Sequence, residues 1–451
     1  MTPSVRPLLA ALPWYHPRRL REDTACCFKL LLLGAVYGMA AALRMAGALL
    51  PTPRRKTNGH TQSASSPPSE EEKDEGGRFP RGVRGTVTLP VQATGWAVEK
   101  KEAATGEVAG DQQKQRTEGE GEEKAKTDTT FEMSYESYPT YPAAVPAHDP
   151  VSTRAPTVVL LNSTGGSAAC WVLSGAVNDL RHRGYNVLLC DLRGQGRTGV
   201  PPGPYTVNQL ALDVAALLRS RCSDPVHVIG YSIGAAVALQ LAVLDAMTCE
   251  KMGAAKTSQT SQHGSIVRSI VLFGFTSSFR DGKTKLQRLV QDVITNERFV
   301  RTLGVRAYGQ LLAVLMGYNW GAINANGGYP RDSSSGGGDP MQGRQLDTNG
   351  LARLQADNNL DGFAWTVASW TGFDVTAALP AVECPVLHVH VSGDDRAGHT
   401  FEKKHADMVA LKHGHLTKIS GPYSHGLPWE NTAKFIAVAA EFMDNDRAHR
   451  V

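Results

Sequence analysis

A serine lies at a tight turn between an apolar strand and an apolar helix in the middle of this chain. The turn is Gly230-Tyr-Ser-Ile-Gly234, with an apolar run at 225–229 before it and a second at 235–245 after it. The shorter run predicts a buried strand and the longer one a helix. A Gly-x-Ser-x-Gly turn in this setting is typical of a nucleophile elbow, in which small flanking residues permit a strained backbone that raises the serine hydroxyl. This motif constrains the fold more than any other feature of the sequence.

Apolar runs alternate with helical patterns from residue 156 onward, which predicts an α/β protein. Further strands are expected at 158–161, 185–190, 266–273, 386–391 and 415–419, earlier ones at 83–91, 95–98 and 131–135, and helices up to residue 183 and at 206–221. Such alternation favours a mostly parallel sheet with helices on both faces and right-handed crossovers. The ligand site of such a sheet lies at the carboxyl ends of its strands.

The alternation stops between residues 276 and 383, where two helical stretches at about 283–316 and 351–378 flank a low-complexity loop at 322–350. Because this block follows one strand and precedes the next, it predicts a helical cap over the site. Its aromatic side chains are interpreted mainly as core packing of the cap helices, with the wall of an apolar acyl pocket as the alternative. They are Trp320, Phe363, Trp365, Trp370 and Phe373.

The first 60 residues form a basic segment with an apolar block at about 30–50. That block is long enough to span a bilayer, although Arg44 interrupts it, so a membrane anchor and a membrane-associated localisation are predicted. A transit segment for mitochondria or another organelle is the alternative. Residues 61–82 are predicted to be a disordered linker, and 99–129 a charged surface insertion.

The net charge and the cysteines bear on the class of binding partner and on the compartment of the protein. A formal net charge of +4, without a basic helix or basic residues interleaved with aromatics, argues against a nucleic-acid partner. The seven cysteines form no Cys-x-x-Cys pair. They are interpreted as small core residues, which favours a reducing compartment.

A serine hydroxyl becomes a useful nucleophile when a histidine removes its proton and an acid orients that histidine. Asp394 and Asp395 stand side by side after the strand predicted at 386–391. His425 lies in the loop Pro422-Tyr-Ser-His-Gly-Leu-Pro-Trp-Glu430, just before a helix that opens near Pro428. Serine, acid and histidine therefore follow one another in that order along the chain.

With these motifs in this order, the chain resembles the α/β-hydrolase superfamily over about residues 150–445. Members often carry Gly-x-x-Asp after a late strand, and aligning Ser392 with that glycine implies Asp395 as the acid, with Asp394 as the alternative. The resemblance also implies an oxyanion hole made by the backbone N–H groups of Ile233 and Thr164. The family's usual His-Gly at the start of the second loop is replaced here by Asn162-Ser163.

A further motif, Asp191-Leu-Arg-Gly-Gln-Gly-Arg-Thr198, resembles the family's Asp-x-Arg-Gly-x-Gly-x-Ser turn. Its expected role is structural, because the glycines allow a tight strand exit and Asp191 can organise neighbouring amides. The resemblance implies an α/β-hydrolase fold with a late helical cap. The first part of the core is expected at 83–275, the cap at 276–383 and the second part of the core at 384–447.

The resemblance implies a serine hydrolase that cleaves an acyl ester or thioester through Ser232, His425 and Asp395. Its substrate would be a small-molecule or lipid acyl compound, and no metal or organic cofactor is implied. An acyltransferase using the same three residues is one alternative. A non-catalytic, membrane-tethered binding protein of the same fold is the other. The sequence leaves the oligomeric state open.

Overall fold

An eight-stranded sheet forms the framework of the protein. The computed structural model describes residues 82–91, 130–141, 155–254, 264–281, 283–316, 358–397 and 400–448. The strands are β1 (Val83–Pro90), β2 (Thr130–Tyr138), β3 (Thr157–Leu161), β4 (Asn186–Cys190), β5 (Val226–Tyr231), β6 (Val267–Phe273), β7 (Val386–His390) and β8 (Gly414–Lys418). Their order across the sheet is β1-β2-β4-β3-β5-β6-β7-β8. Strand β2 pairs antiparallel with β1 and β4, and the pairs from β4 to β8 are parallel.

Helices cover both faces of this sheet. They are α1 (Ala168–Leu173), α2 (Ala176–His182), α3 (Val207–Arg221), α4 (Ile233–Ala254), α5 (Lys285–Ile294), α6 (Glu297–Leu315), α7 (Leu360–Ala368), α8 (Phe401–Ala410), α9 (Leu427–Glu430) and α10 (Thr432–Ala448). One buried apolar cluster includes side chains of α3, α4 and α8, and a second on the other face includes those of α2 and α10. The predicted α/β-hydrolase fold, a mostly parallel sheet between two helical layers, is therefore confirmed.

The parallel register aligns the strand ends that carry the functional loops. Leu161 at the end of β3 lies opposite Gly230 of β5, and Tyr231 at the end of β5 lies opposite Phe273 of β6. Phe273 in turn pairs with Val389 of β7. The carboxyl ends of four adjacent strands thus meet at one edge of the sheet, as expected for a ligand site in a parallel sheet.

The segment between β6 and β7 differs in detail from the predicted pair of long helices. The stretch expected to be one helix at about 283–316 is divided into α5 and α6, because the side chain of Asn296 accepts hydrogen bonds from Arg298 N and Phe299 N and so starts a new helix. A kink at Gly304, where φ is +76°, further divides α6. After residue 358 the second stretch contains only α7 as α-helix, followed by short 3₁₀ turns at Ser369–Gly372 and Thr376–Ala381.

The predicted membrane-associated localisation is corrected. Across the described residues no helix has both the length and the apolar character needed to cross a bilayer. The block at 30–50 that motivated the prediction lies outside the described residues. So do the rest of segment 1–60 with its transit alternative, almost all of the linker predicted at 61–82, the strand at 95–98, the insertion at 99–129 and the loop at 322–350.

Candidate active site

Ser232 occupies the turn between β5 and α4 in a left-handed conformation, with φ of +56°. A side chain rarely adopts this conformation, and such strain is typical of functional sites. The turn is possible because its neighbours lack bulk: a Cβ on Gly230 would lie 2.4 Å from the carbonyl oxygen of Gly234. The Ser232 amide donates to the carbonyl of Phe273 at 2.8 Å, which joins the turn to the end of β6. The elbow predicted from the pentapeptide is present in the backbone.

The start of α4 packs directly against the loop that follows β3. A Cβ on Gly234 would lie 2.4 Å from the carbonyl oxygen of Leu161 and 2.7 Å from that of Asn162, so only glycine permits this approach. Ile233 and Thr164, the two expected oxyanion donors, are both buried and belong to these two adjoining backbones. A hydrogen bond from Gly166 N to Ser163 O, 2.9 Å long, closes the turn around Thr164.

The His425 ring is buried over the ends of β5 and β6. Its centroid lies 5.5 Å from the ring of Tyr231, the residue before Ser232, and 6.1 Å from the ring of Phe273. Gly274, with φ of +77°, follows Phe273, and a Cβ there would lie 2.5 Å from Cε1 of His425. The predicted histidine therefore packs on the residue next to the predicted nucleophile.

The structure pairs this histidine with Asp394 rather than with Asp395, which corrects the predicted acid. Nδ1 of His425 lies 2.7 Å from Oδ1 of Asp394, and the Asp394 side chain is fully buried. Asp395 points elsewhere: its carboxylate is 47% exposed and lies 3.9 Å from Nε2 of His390. The two residues sit in a 3₁₀ turn, Ser392–Ala397, in which successive side chains diverge by about 120°. Hence only one of the adjacent carboxylates can face inward.

A glycine brings the acid turn and the histidine loop together. A Cβ on Gly393 would lie 2.4 Å from Tyr423 O and 2.7 Å from the Cα of Ser424. The alignment with the family motif Gly-x-x-Asp places Ser392, rather than Gly393, at the position of the motif glycine. The acid therefore follows this close contact directly, one position earlier than the family spacing implied.

The histidine loop is fastened from within by Glu430, a buried carboxylate at the end of α9. Glu430 accepts a hydrogen bond from the Ser424 amide at 2.7 Å and another from the Ser424 hydroxyl. The same hydroxyl accepts from the Gly426 amide at 3.0 Å. Hydrogen bonds thus hold Ser424 and Gly426, the residues on either side of His425. They fix the backbone that carries the His425 ring. The sequence gives no signal for this role, because Glu430 stands between Trp429 and the polar Asn431 and its burial arises only in the folded loop.

The turn beginning at Asp191 organises amides, in line with the structural role inferred from its sequence. One Asp191 oxygen accepts from Ala168 N at 2.6 Å and the other from Arg197 N at 2.9 Å. Burial nevertheless raises the pKa of this carboxyl above its usual range, against these hydrogen bonds. Ala168 begins α1 shortly after residues 162–166, the loop predicted to form part of the oxyanion hole (the oxyanion loop), so Asp191 fixes the far end of that loop.

Asn358, just before α7, ties the segment between β6 and β7 to the same region. Its amide nitrogen donates to Gly165 O at 2.8 Å, and its oxygen accepts from Gly196 N at 2.9 Å. Sequence reasoning did not find this residue, because the asparagine lies far along the chain from the two glycines and has no motif around it.

Four of the five aromatic residues singled out in this segment lie in the described part, and ring packing accounts for them. Phe363 packs on Tyr308, Trp365 on Tyr205, Trp370 on Phe279 and Phe373 on Phe275, with centroid distances from 5.3 to 5.6 Å. This agrees with the core-packing interpretation. Trp320 lies outside the described residues.

Another residue that sequence reasoning missed is Lys404 of α8. Its side chain is fully buried, and its ammonium contacts Oδ2 of Asp394, the oxygen that His425 does not use. Burial, and next the Lys404 charge, lower the pKa of nearby His390 below its usual range. Within the described residues no group of three or more His, Cys, Asp or Glu side chains has the arrangement of a metal site.

Comparison with known proteins finds a match over the part of the chain that contains Ser232, Asp394 and His425. Residues 158–438 match the family model described as the alpha/beta hydrolase family. A protein of Pseudomonas syringae pv. syringae, RutD, named as a carbamate hydrolase, is 25% identical over 279 residues, which cover 59% of this chain and 90% of that protein. The pyrrolizixenacetamide deacetylase of Xenorhabdus hominickii is 25% identical over 60% of this chain and 88% of its own length.

Among solved structures, the alpha/beta hydrolase MGS-M2 from a deep-sea metagenome library of the Medee basin superposes with a TM-score of 0.50 at 18% identity. The match covers 70% of this chain and 94% of that structure. A likeness at this level of identity concerns the fold.

Proposed function

The chain belongs to the alpha/beta hydrolase family, and from this premise we propose that it is a serine hydrolase that cleaves an acyl ester or thioester. The observation that carries the proposal is the hydrogen bond between Asp394 and His425, made where the His425 ring packs on Tyr231 beside Ser232. A nucleophile at a strained elbow, a histidine and a buried carboxylate are the parts that acyl transfer through serine requires.

In the first half of the reaction, His425 takes the proton of the Ser232 hydroxyl through Nε2 while Oγ forms a bond to the substrate carbonyl carbon. Because Asp394 accepts the hydrogen bond from Nδ1–H, it fixes the tautomer that leaves Nε2 to act as base and favours the imidazolium that results. The bond to the leaving alcohol or thiol then breaks, and His425 returns the proton to that group. Water attacks the acyl-enzyme in the same manner and releases the acid.

The negative charge that develops on the carbonyl oxygen needs preorganised donors. We assign this role to the N–H groups of Ile233 and Thr164, whose backbones are held together by the contact of Gly234 with Leu161. Removing a single such donor costs about 10²- to 10³-fold in turnover in serine hydrolases. The Ser163 that replaces the family's glycine leaves a closed turn around Thr164, which supports a competent hole.

The same chemistry extends to acyl groups bound to nitrogen. Two relatives that align over about nine-tenths of their lengths are named as a carbamate hydrolase and a deacetylase. We therefore include carbamates and N-acetyl amides with p-nitrophenyl esters of increasing chain length in the substrate panel.

Labelling with a fluorophosphonate probe tests the proposal directly, because the probe reacts with an activated serine. We expect Ser232→Ala to abolish labelling and to lower turnover by ~10⁶-fold, since loss of a triad nucleophile removes the covalent step. Ser220→Ala serves as the matched control: this serine lies in α3, and its hydroxyl donates to Leu217 O at 2.8 Å. It should label as fast as the wild type.

If the wild-type chain labels no faster than Ser232→Ala, the protein is not a serine hydrolase and the alternative of a non-catalytic binding protein gains support. Acyltransferase activity is distinguished by adding alcohols or amines to an esterase assay. An acyltransferase would form the new ester or amide in preference to the free acid.

A further inference from the structure

Each carboxylate oxygen of Asp394 contacts a buried side chain that can carry a positive charge. His425 Nδ1 is bound to Oδ1, and the ammonium of Lys404 contacts Oδ2. The side chains of Lys404 and Asp394 are both fully buried, and that of His425 is 4% exposed. A charged lysine is rarely buried without a partner. Here its partner is the carboxylate that the proposed reaction uses.

Helix α8 holds this lysine rigidly beside the site. Three residues after Lys404, Asp407 accepts hydrogen bonds from the Ser277 amide at 2.8 Å and from the Ser277 hydroxyl at 2.7 Å. Ser277 belongs to the segment after β6, which also contains Gly274 beneath the His425 ring. One helix thus contacts both the acid and the segment that follows the strand on which the histidine packs.

The surrounding charges identify Lys404 as the main cation near the acid in the described part of the chain. On β7, burial and the Lys404 charge lower the pKa of His390. Asp395 is half exposed and lies near His390, and Lys418 at the end of β8 acts weakly on the same histidine. Glu430 is engaged by the Ser424 amide and hydroxyl.

We propose that Lys404 is a positioning residue for the triad, acting through Asp394 in two ways. It holds the carboxylate with Oδ1 toward His425, and its positive charge offsets part of the carboxylate's field at the imidazole. An unshielded buried carboxylate would favour the imidazolium strongly, and an imidazolium cannot accept the serine proton. Lys404 therefore extends the pH range over which His425 acts as a base toward lower pH.

The inference rests on the proposed function, and its test uses the rate of fluorophosphonate labelling as a function of pH. In Lys404→Met we expect the midpoint of the acid limb to move upward by about one pH unit, the lower end of the range that a nearby unit charge produces. At the wild-type midpoint the labelling rate would fall roughly fivefold. Lys404→Arg keeps the charge and should return the midpoint close to the wild-type value.

The matched control is Lys412→Met, which removes a half-exposed lysine paired with Glu383 at the surface. It should leave the pH profile unchanged. An unchanged or lowered midpoint in folded Lys404→Met overturns the role of Lys404 while leaving the hydrolase proposal intact. Absence of Ser232-dependent labelling in the wild type overturns the hydrolase proposal itself.

If Lys404→Met does not fold, NMR of the wild-type chain tests the inference instead. With ¹⁵N-labelled lysine, the Lys404 ammonium resonance should shift with the same midpoint as the labelling rate, because both report the charge on His425. It should also shift when Ser232 is phosphonylated, whereas the Lys412 resonance should not. A Lys404 resonance that stays constant through both changes contradicts the inference.

Discussion

At the scale of single residues, the choice of acid depends on one position in a 3₁₀ turn. Asp394 and Asp395 have the same chemistry and adjacent places in the sequence, yet one is fully buried against Lys404 and His425 and the other is half exposed. Burial decides which carboxylate can orient the His425 ring, because an ion pair or hydrogen bond of a solvated carboxylate is weak.

We expect Asp394→Asn to lower kcat/KM by ~10³- to 10⁴-fold, since an amide in this place favours the wrong imidazole tautomer. Asp395→Asn should stay within about twofold of the wild type, because exposed substitutions rarely matter. Ester hydrolysis measures both, and circular dichroism shows that each variant is folded. Equal losses, or a larger loss in Asp395→Asn, would restore the acid expected from the family spacing.

Lys283, just before α5, is a buried cation that contacts an aromatic ring in the described part of the chain. Its ammonium lies 4.4 Å from the centroid of the Phe279 ring and has no hydrogen-bond partner within the described residues. Burial lowers its pKa from 10.5 to about 8. The folded state thus binds this proton less tightly than the unfolded state, so stability is reduced below pH 8 and recovers as the pH rises from 8 toward 10.5.

We therefore expect Lys283→Met to raise the free energy of unfolding at pH 7 by up to about 3 kcal/mol, the cost of a pKa lowered to about 8. The gain over the wild type should shrink as the pH approaches 10. Urea unfolding at several pH values measures it. Lys285→Met, at an exposed neighbouring position, is the control and should change stability by less than about 0.5 kcal/mol. A gain that is independent of pH would show that the buried charge is not its source.

At the scale of elements, the local sequence predicted strands better than helices. Buried parallel strands are short apolar runs, and β3 to β7 were found within one or two residues of their predicted ends. The partly exposed edge strand β8 was found within one residue of its predicted ends. The segment between β6 and β7 was harder, because its helices are separated by features without a strong local signal. Asn296 starts a new helix where apolar periodicity continues, and Gly304 kinks α6.

At the scale of the whole molecule, the segment between β6 and β7 is joined to the core at the proposed oxyanion loop. Gly362 of α7 packs backbone to backbone against Gly194, where a Cβ would lie 2.5 Å from the Gly194 carbonyl oxygen. Asn358 adds hydrogen bonds to Gly165 and Gly196. The position of this segment is thereby linked to the loop that carries Thr164.

We expect Asn358→Ala to slow fluorophosphonate labelling about three- to tenfold, because it leaves the Gly165 carbonyl and the Gly196 amide without this partner and loosens the oxyanion loop. Asn359→Ala is the matched control. The neighbouring Asn359 caps α7 by accepting from Asp361 N and Gly362 N. Its loss should cost about 1 kcal/mol of stability without slowing the labelling.

If both asparagine variants slow labelling equally, general destabilisation explains the effect and the link from Asn358 to the oxyanion loop is not supported. Thermal unfolding of both proteins provides the comparison of stability.

The sequence by itself determined the alternation of strands and helices, the elbow at Ser232 and the histidine loop, because each depends on local patterns: apolar periodicity, and glycines where the backbone has no room for a Cβ. Tertiary structure alone decided which carboxylate meets His425, that Lys404 shares it, and that Asn358 reaches the oxyanion loop. These contacts join residues distant along the chain, and burial sets their strength. Burial is a property of the packed molecule, which no single segment encodes.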